Sequence, residues 1–353
     1  MARTPQRIIN SVAPVRICDN GGWTDTWFAH HGKIFNIAVY PYAEAQIKVY
    51  RRDPSHARVI IHAENFGQRY EAHPETPGQW DRHPLLEAAI ERMGLPDDVS
   101  FEVAIFSEAP AGGGTGTSAA VTVALIGALD RLTPGQLTPG EVAATAHSIE
   151  VDMLKQQCGI QDQLASAHGG INYIEMTSYP EATVSRLEIP DPIWWELERR
   201  LALIYLGRSH VSSVLHEKVI SEIQALGPDC RKLEVLRQTA QKSRDAVLLG
   251  HFSELGAAMR ENTEAQAALH PELVSAKARR VIAIAREYGA LGWKVNGAGG
   301  EGGSLTLLAG PESGRRRAMI REIEQEDPAF RFVPTYLARH GLRVWVNEED
   351  EGG

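Results

Sequence analysis

Apolar and polar residues alternate along parts of this chain and recur at helical spacing along others. The two rhythms predict different elements. Alternation or short apolar runs predict strands over residues 45–50, 58–62 and 101–106. Helical spacing predicts a helix over 83–93, stopped by Gly94 and Pro96, and a long Ala-rich helix over 119–132. Thr138-Pro-Gly-Glu141 reads as a helix start, with Thr138 as N-cap, Pro139 first and Glu141 three residues on; this helix is expected to reach about Lys155. The proline-bearing stretch 189–195 reads as a hinge. A buried strand is expected over 201–206, helices from about 212 to 288, and strands again over 304–309 and 342–346. The acidic tail 348–351 is expected to fray.

Strands and helices mix without a regular βαβ rhythm, which favours an α+β fold. At 353 residues two lobes are expected, 1–195 and 196–353, with no internal repeat. The net charge of −9 argues against nucleic acid as a partner. No apolar run approaches the roughly eighteen residues of a membrane span. The first residues lack the apolar core of a signal peptide, and the three cysteines are scattered and odd in number, so a cytoplasmic protein is expected. No CxxC or HExxH spacing suggests zinc. The expected partner is a small molecule, and the expected assembly a monomer or homodimer.

Residues 110–120, Pro-Ala-Gly-Gly-Gly-Thr-Gly-Thr-Ser-Ala-Ala, stand between a predicted strand and a predicted helix. Glycine lets backbone approach a bulky anion, and a helix start presents unpaired N–H groups and a positive dipole end. Pro110, Gly112, Gly113, Gly114, Thr115, Gly116, Thr117 and Ser118 therefore read as a phosphate cradle. A Walker loop would need a lysine that is missing. A dinucleotide fingerprint fits Gly114 to Ala119 but lacks the acidic residue about twenty positions on; Asp130 comes too soon.

The loop resembles the second motif of the GHMP kinases, PxxxGLGSSAA, with Thr115 and Thr117 replacing Leu and the first Ser. Three more blocks resemble that family in the same order: Ala13 to Asp25, Cys158-Gly-Ile-Gln-Asp-Gln163, and Lys294-Val-Asn-Gly-Ala-Gly-Gly-Glu-Gly-Gly-Ser304. Gly21-Gly-Trp-Thr-Asp-Thr26 is similar to the fucokinase segment GGWSDTPP and to GGGTD of the D-glycero-D-manno-heptose 7-phosphate kinases, with Trp27-Phe28 in place of Pro-Pro. The resemblance implies a two-lobed GHMP kinase fold, with an N-terminal lobe like ribosomal protein S5 domain 2 and a ferredoxin-like C-terminal lobe. It implies ATP and Mg²⁺, and phosphorylation of a sugar at its anomeric hydroxyl. Galactose and heptose 7-phosphate are alternative acceptors, and a non-catalytic binding protein is a remoter one.

By the same resemblance Asp162 takes the proton of the sugar hydroxyl and Arg16 stabilises charge beside it. Ser118 and Glu150 hold Mg²⁺, which takes few protein oxygens; a solvated helix face is the bland alternative for Glu150, and Asp152 is its nearby competitor. Asp25, Trp23 and Gly22 meet the sugar, although Trp23 also suits a core. Glu301, at a family glycine position, is expected to point away from phosphates. Lys294 is expected to be structural. Arg208-Ser-His-Val-Ser-Ser213 suits substrate binding or a plain helix start equally.

Overall fold

The computed structural model describes residues 3–133, 135–207 and 213–348. The chain opens with a long antiparallel pair, β1 (Arg7–Asn20) and β2 (Gly32–Arg51), followed by the hairpin β3 (Val59–Ala63) and β4 (Gln68–Ala72). Helix α1 (Pro84–Met93) and strand β5 (Val99–Ser107) lead into α2 (Thr117–Asp130), α3 (Pro139–Ser148) and α4 (Gln161–His168), then the hairpin β6 (Ile171–Ser178) and β7 (Glu181–Arg186). Helix α5 (Asp191–Arg200) and β8 (Leu201–Tyr205) begin the second lobe, with α6 (Ser213–Leu226), α7 (Arg231–Leu249), α8 (Phe252–Leu269), α9 (Ala276–Glu287), β9 (Gly292–Val295), β10 (Ser304–Leu308), α10 (Ser313–Glu326) and β11 (Arg331–Val333). Strands β12 (Tyr336–Leu337) and β13 (Arg343–Glu348) close the chain.

Nine strands form the first sheet, in the order β13-β1-β2-β5-β3-β4, with β12 and β6 also paired to β2 and β7 paired to β6. Only β3 and β5 run parallel. The second sheet runs β11-β8-β10-β9, wholly antiparallel, with helices between β8 and β9 and between β10 and β11. That is the order and connectivity of a ferredoxin-like lobe. Strand β1 is buried from Ser11 to Asn20 because both its faces are covered. One core packs α1, α2 and α3 against the first sheet; another packs α5, α7 and α8 against its opposite face. A strand buried on both faces reads as a near-continuous apolar run, which is how residues 12–18 read.

Three expectations need correction. The proline-bearing stretch near 190 opens a helix instead of forming a hinge: Pro190 is the N-cap and Pro192 sits in the first turn, where a missing N–H costs nothing. A division between residues 195 and 196 would cut α5, and β12 and β13 return to pair with β2 and β1, so the lobes are not consecutive halves. The helix from Thr138 has the expected reciprocal capping, with Thr138 N–H donating to Glu141 Oε2 at 2.8 Å. It ends at Met153, not Lys155, through a π-helical turn over Ile149–Met153. Lys155 then takes φ +55°. Residues 208–212 and 349–351 lie outside the described residues. Among those described, no helix is long and apolar enough to cross a membrane.

Candidate active site

The glycine loop turns from β5 to α2. Pro110 accepts from the Gly113 N–H at 3.2 Å and closes the turn. Gly112, Gly114 and Gly116 all take positive φ, where only glycine sits without strain. Gly116 is the N-cap of α2 and no side chain caps that end, so its first-turn N–H groups remain available. The Arg16 N–H donates to the Thr115 carbonyl at 3.0 Å, and the Arg16 guanidinium donates to the Gly114 carbonyl. These two bonds tie the loop to the middle of the first sheet.

The second glycine loop, between β9 and β10, lies directly against the first. A Cβ on Gly114 would stand 2.8 Å from the Asn296 carbonyl oxygen, and one on Gly297 would stand 2.9 Å from the Gly114 carbonyl oxygen. Ser304 Oγ donates to the Gly113 carbonyl at 2.5 Å. Glu301 is exposed, as a carboxylate beside a phosphate cradle should be.

Asp162 sits in the first turn of α4, where its Oδ1 accepts from Arg16 Nε at 2.7 Å. Arg16 is buried, which opposes its charge. The carboxylates Asp162, Asp19 and Asp25 outweigh that cost and keep it protonated. Asp25 holds its Oδ2 toward the Gln161 N–H at 3.2 Å and its Oδ1 toward Gln161 Nε2 at 3.4 Å. Burial, with the Asp162 charge adding to it, pushes the Asp25 carboxyl up to about 6. Gly159 lies against this carboxylate so closely that any Cβ would overlap it.

Glu150 stands in the π-helical turn and is only 5 % exposed. Its Oε1 accepts from Gln163 Nε2 at 2.8 Å. Burial first, and Asp162 as well, push its carboxyl up to about 7. Asp152 is exposed and lines a different cavity. The hydroxyl residue Ser118 is exposed in the first turn of α2.

Two cavities share these groups. One, of about 580 Å³, is lined by Ala111 to Ser118 together with Asn65, Phe66, His83, Leu85 and Val121. The other, of about 200 Å³, is lined by Trp23, Asp25, Trp27, Phe28, Glu150, Gln161, Gln163 and His216 among others. Arg16, Ser118 and Asp162 line both. Two binding volumes therefore meet at a guanidinium, a hydroxyl and a carboxylate. Such a site can hold a polyanion on one side and a nucleophile on the other, with the transferred group between them.

Trp23 is 9 % exposed with φ +75°, so it is both a core residue and a wall of the smaller cavity. Gly22 differs from expectation. It lies behind the wall, where a Cβ would stand 2.9 Å from Asp19 Oδ2 and 3.4 Å from Gln161 Nε2. Its part is to let those two side chains approach. Lys294 is 1 % exposed, 3.2 Å from Asp19 Oδ1, and donates to Gln266 Oε1 at 3.1 Å. Asp19 also accepts from the Gly297 N–H at 3.0 Å and faces Arg16 Nη1 at 3.7 Å. Asp19 thus joins Arg16 to the second glycine loop, a role no spacing in the sequence announces. Gln161 and Gln163 flank Asp162 in a block whose sequence signal points to the aspartate alone. His216 and Trp27 carry no such signal.

This arrangement is that of a two-substrate phosphotransferase. The GHMP kinases N terminal domain matches residues 84–170 and the GHMP kinases C terminal region matches 243–326. The mevalonate kinase of Thermococcus sibiricus is 34% identical over 268 residues, covering 74% of this chain and 72% of that one. The D-glycero-alpha-D-manno-heptose 7-phosphate kinase of Campylobacter jejuni is 26% identical over 350 residues, 96% of this chain and 99% of that one. Among solved structures, a D-glycero-D-manno-heptose 1-phosphate kinase from Bacteriodes thetaiotaomicron superposes with a TM-score of 0.72 at 23% identity, covering 96% and 98%. The chain belongs to the GHMP kinase family and is an ATP-dependent kinase of a small molecule.

Proposed function

We propose that this kinase phosphorylates a sugar, at the anomeric hydroxyl, using ATP and Mg²⁺. The observation that carries the reading is the meeting of the two cavities at Arg16, Ser118 and Asp162. The larger one takes the nucleotide. Its triphosphate lies over Gly112 to Ser118 and its base reaches the apolar end formed by Phe66, Leu85 and Val121.

The smaller cavity takes the acceptor. Asp25 and the aromatic side chains Trp23, Trp27 and Phe28 suit a sugar, which has a polar rim and apolar faces. A carboxylate acceptor such as mevalonate would need a cation. Among the described residues the only Lys or Arg in this wall is Arg16, already paired with Asp162. A sugar phosphate is the second reading, favoured by the end-to-end likeness to the heptose 7-phosphate kinase.

Asp162 accepts the proton of the attacking hydroxyl. The hydroxyl oxygen bonds to the γ-phosphorus, the bond from that phosphorus to the bridging oxygen breaks, and ADP leaves. Arg16 fixes the Asp162 carboxylate and places a guanidinium beside the transferred group. The donor set fits Mg²⁺: Glu150 is a buried carboxylate facing Asp162, with no Lys or Arg paired to it among the described residues, and the Ser118 side chain borders both cavities. Glu150 and Ser118 would hold the ion, which when bound neutralises phosphate charge. ADP release should be assayed across free and phosphorylated aldoses and mevalonate, with ³¹P and ¹³C NMR of the product. A sugar 1-phosphate is expected. Phosphorylation of mevalonate alone would overturn the reading.

A further inference from the structure

The wall of the smaller cavity carries an unusual number of unsatisfied polar atoms. Among the described residues, buried side-chain atoms without a hydrogen-bond partner include Trp23 Nε1, Gln161 Oε1, Gln163 Oε1 and His216 Nε2. All four belong to residues lining this one cavity. A buried polar atom left unpaired is costly, so a native protein keeps a cluster of them where something else completes the bonds. Gln163 is committed through its amide nitrogen to Glu150, on the side of the proposed metal. The other three belong to the acceptor side.

These three groups share a chemistry. An indole N–H donates, an amide oxygen accepts, and a neutral imidazole does one at each nitrogen. Burial lowers the proton affinity of His216, and its ring packs edge-on against Trp23 at 5.2 Å between centroids. Burial thus favours the uncharged imidazole. Among the described residues lining the same cavity, the acidic side chains are Asp25, Asp19, Glu150 and Asp162, and the one Lys or Arg is Arg16. Among the described residues the carboxylates of this wall outnumber its cation, the reverse of a phosphate-binding surface.

Resting on the sugar-kinase reading, we propose that the acceptor is an uncharged sugar and that Trp23, Gln161 and His216 read its hydroxyls. Neutral donors and acceptors pair with hydroxyl groups, which both give and take hydrogen bonds. An acceptor bearing phosphate would bring a second anion to a wall that already crowds carboxylates. His216 has particular weight because it comes from α6, in the second lobe. The acceptor is then clasped between Trp23 and Asp25 of one lobe and His216 of the other.

Paired kinetics test this. kcat/KM is measured for L-fucose, D-mannose and D-glycero-D-manno-heptose, and for mannose 6-phosphate and heptose 7-phosphate. A free sugar is expected to exceed its own phosphate ester by at least about 100-fold, the loss typical of a buried charge without a partner. Preference for the ester overturns the inference while leaving the sugar-kinase reading intact. Turnover of mevalonate and of no aldose overturns both. Trp23→Phe keeps an aromatic ring and removes the N–H, and His216→Phe keeps an edge-on aromatic and removes the nitrogens. Each is expected to raise the sugar KM about tenfold, with the KM for ATP within twofold; the unchanged ATP value shows that the protein is folded. An unchanged sugar KM in both variants refutes the assignment.

Discussion

Replacing Glu150 by glutamine should make the protein more stable and nearly inactive. In the folded chain the Glu150 carboxyl is pushed up to about 7, first by burial and then by Asp162, against an ordinary value of 4.5. The folded state therefore holds this proton more tightly than the unfolded state. Between about pH 4.5 and 7 it binds more protons, so stability falls as pH rises through that window, and the full penalty stands above it. At about 1.4 kcal/mol per pH unit the ionised carboxylate costs the nucleotide-free fold about 3 kcal/mol at pH 8. Glu150 is nearly fully buried, so solvent screening removes little of this. Glutamine keeps an oxygen to accept from Gln163, and burying its amide N–H groups gives back about 1 kcal/mol.

The net gain is about 2 kcal/mol at pH 8, or about 3 °C in melting temperature for a chain of this size. At pH 5 the native carboxyl is itself mostly protonated and the two proteins should melt together. The assay is thermal unfolding in EDTA without nucleotide, at both pH values, for wild type and Glu150→Gln. The variant should also lose at least about 100-fold in Mg²⁺-supported turnover, because the uncompensated carboxylate is the proposed metal ligand. A variant that melts at or below wild type at pH 8 would show that Glu150 is not a strained ion in the resting protein. Retention of Mg²⁺-supported turnover would remove its role at the metal.

Asp162→Ala should lower turnover by about 1000-fold or more while nucleotide affinity stays within about threefold; near-normal turnover would sink the proposed proton acceptor. Gly116→Ala places a Cβ 3.0 Å from the Asp162 carboxylate carbon at φ +71°, costing about 1–3 kcal/mol and at least tenfold in turnover, as read by thermal unfolding and steady-state rates. Lys294→Met removes the nearer of the two cations beside Asp19, leaving Arg16 at 3.7 Å, and should cost about 3 kcal/mol of stability, partly recovered in Lys294→Met/Asp19→Asn. Equal melting of the single and double variants would show that Asp19 does not depend on Lys294.

The groups that meet at the site were legible in the sequence one block at a time, because each block carries a local reason for its composition. Gly114 and Gly116 need positive φ, and Thr138 and Glu141 cap each other within one turn. Periodicity of this kind reports neighbours along the chain. It does not report Asp19, whose partners Lys294 and Gly297 lie in β9 and the glycine loop after it, or His216, which meets Trp23 only after α6 folds across it. The end of α3 shows how the two levels part. Local spacing carries that helix to Lys155, because nothing in 149–155 forbids an ordinary turn. The structure widens the turn at Ile149–Met153, and the Gln156 N–H then donates to the Glu150 carbonyl at 2.8 Å. One residue more in a turn rotates the next residues by about 100°. The chain leaves toward Cys158, and Gln163 comes within reach of the Glu150 carboxylate. The irregular turn thus supports a buried acid that destabilises the empty fold. Such a departure from regular geometry is expected where a π-helical turn serves a site, and Glu150→Gln tests whether this one does.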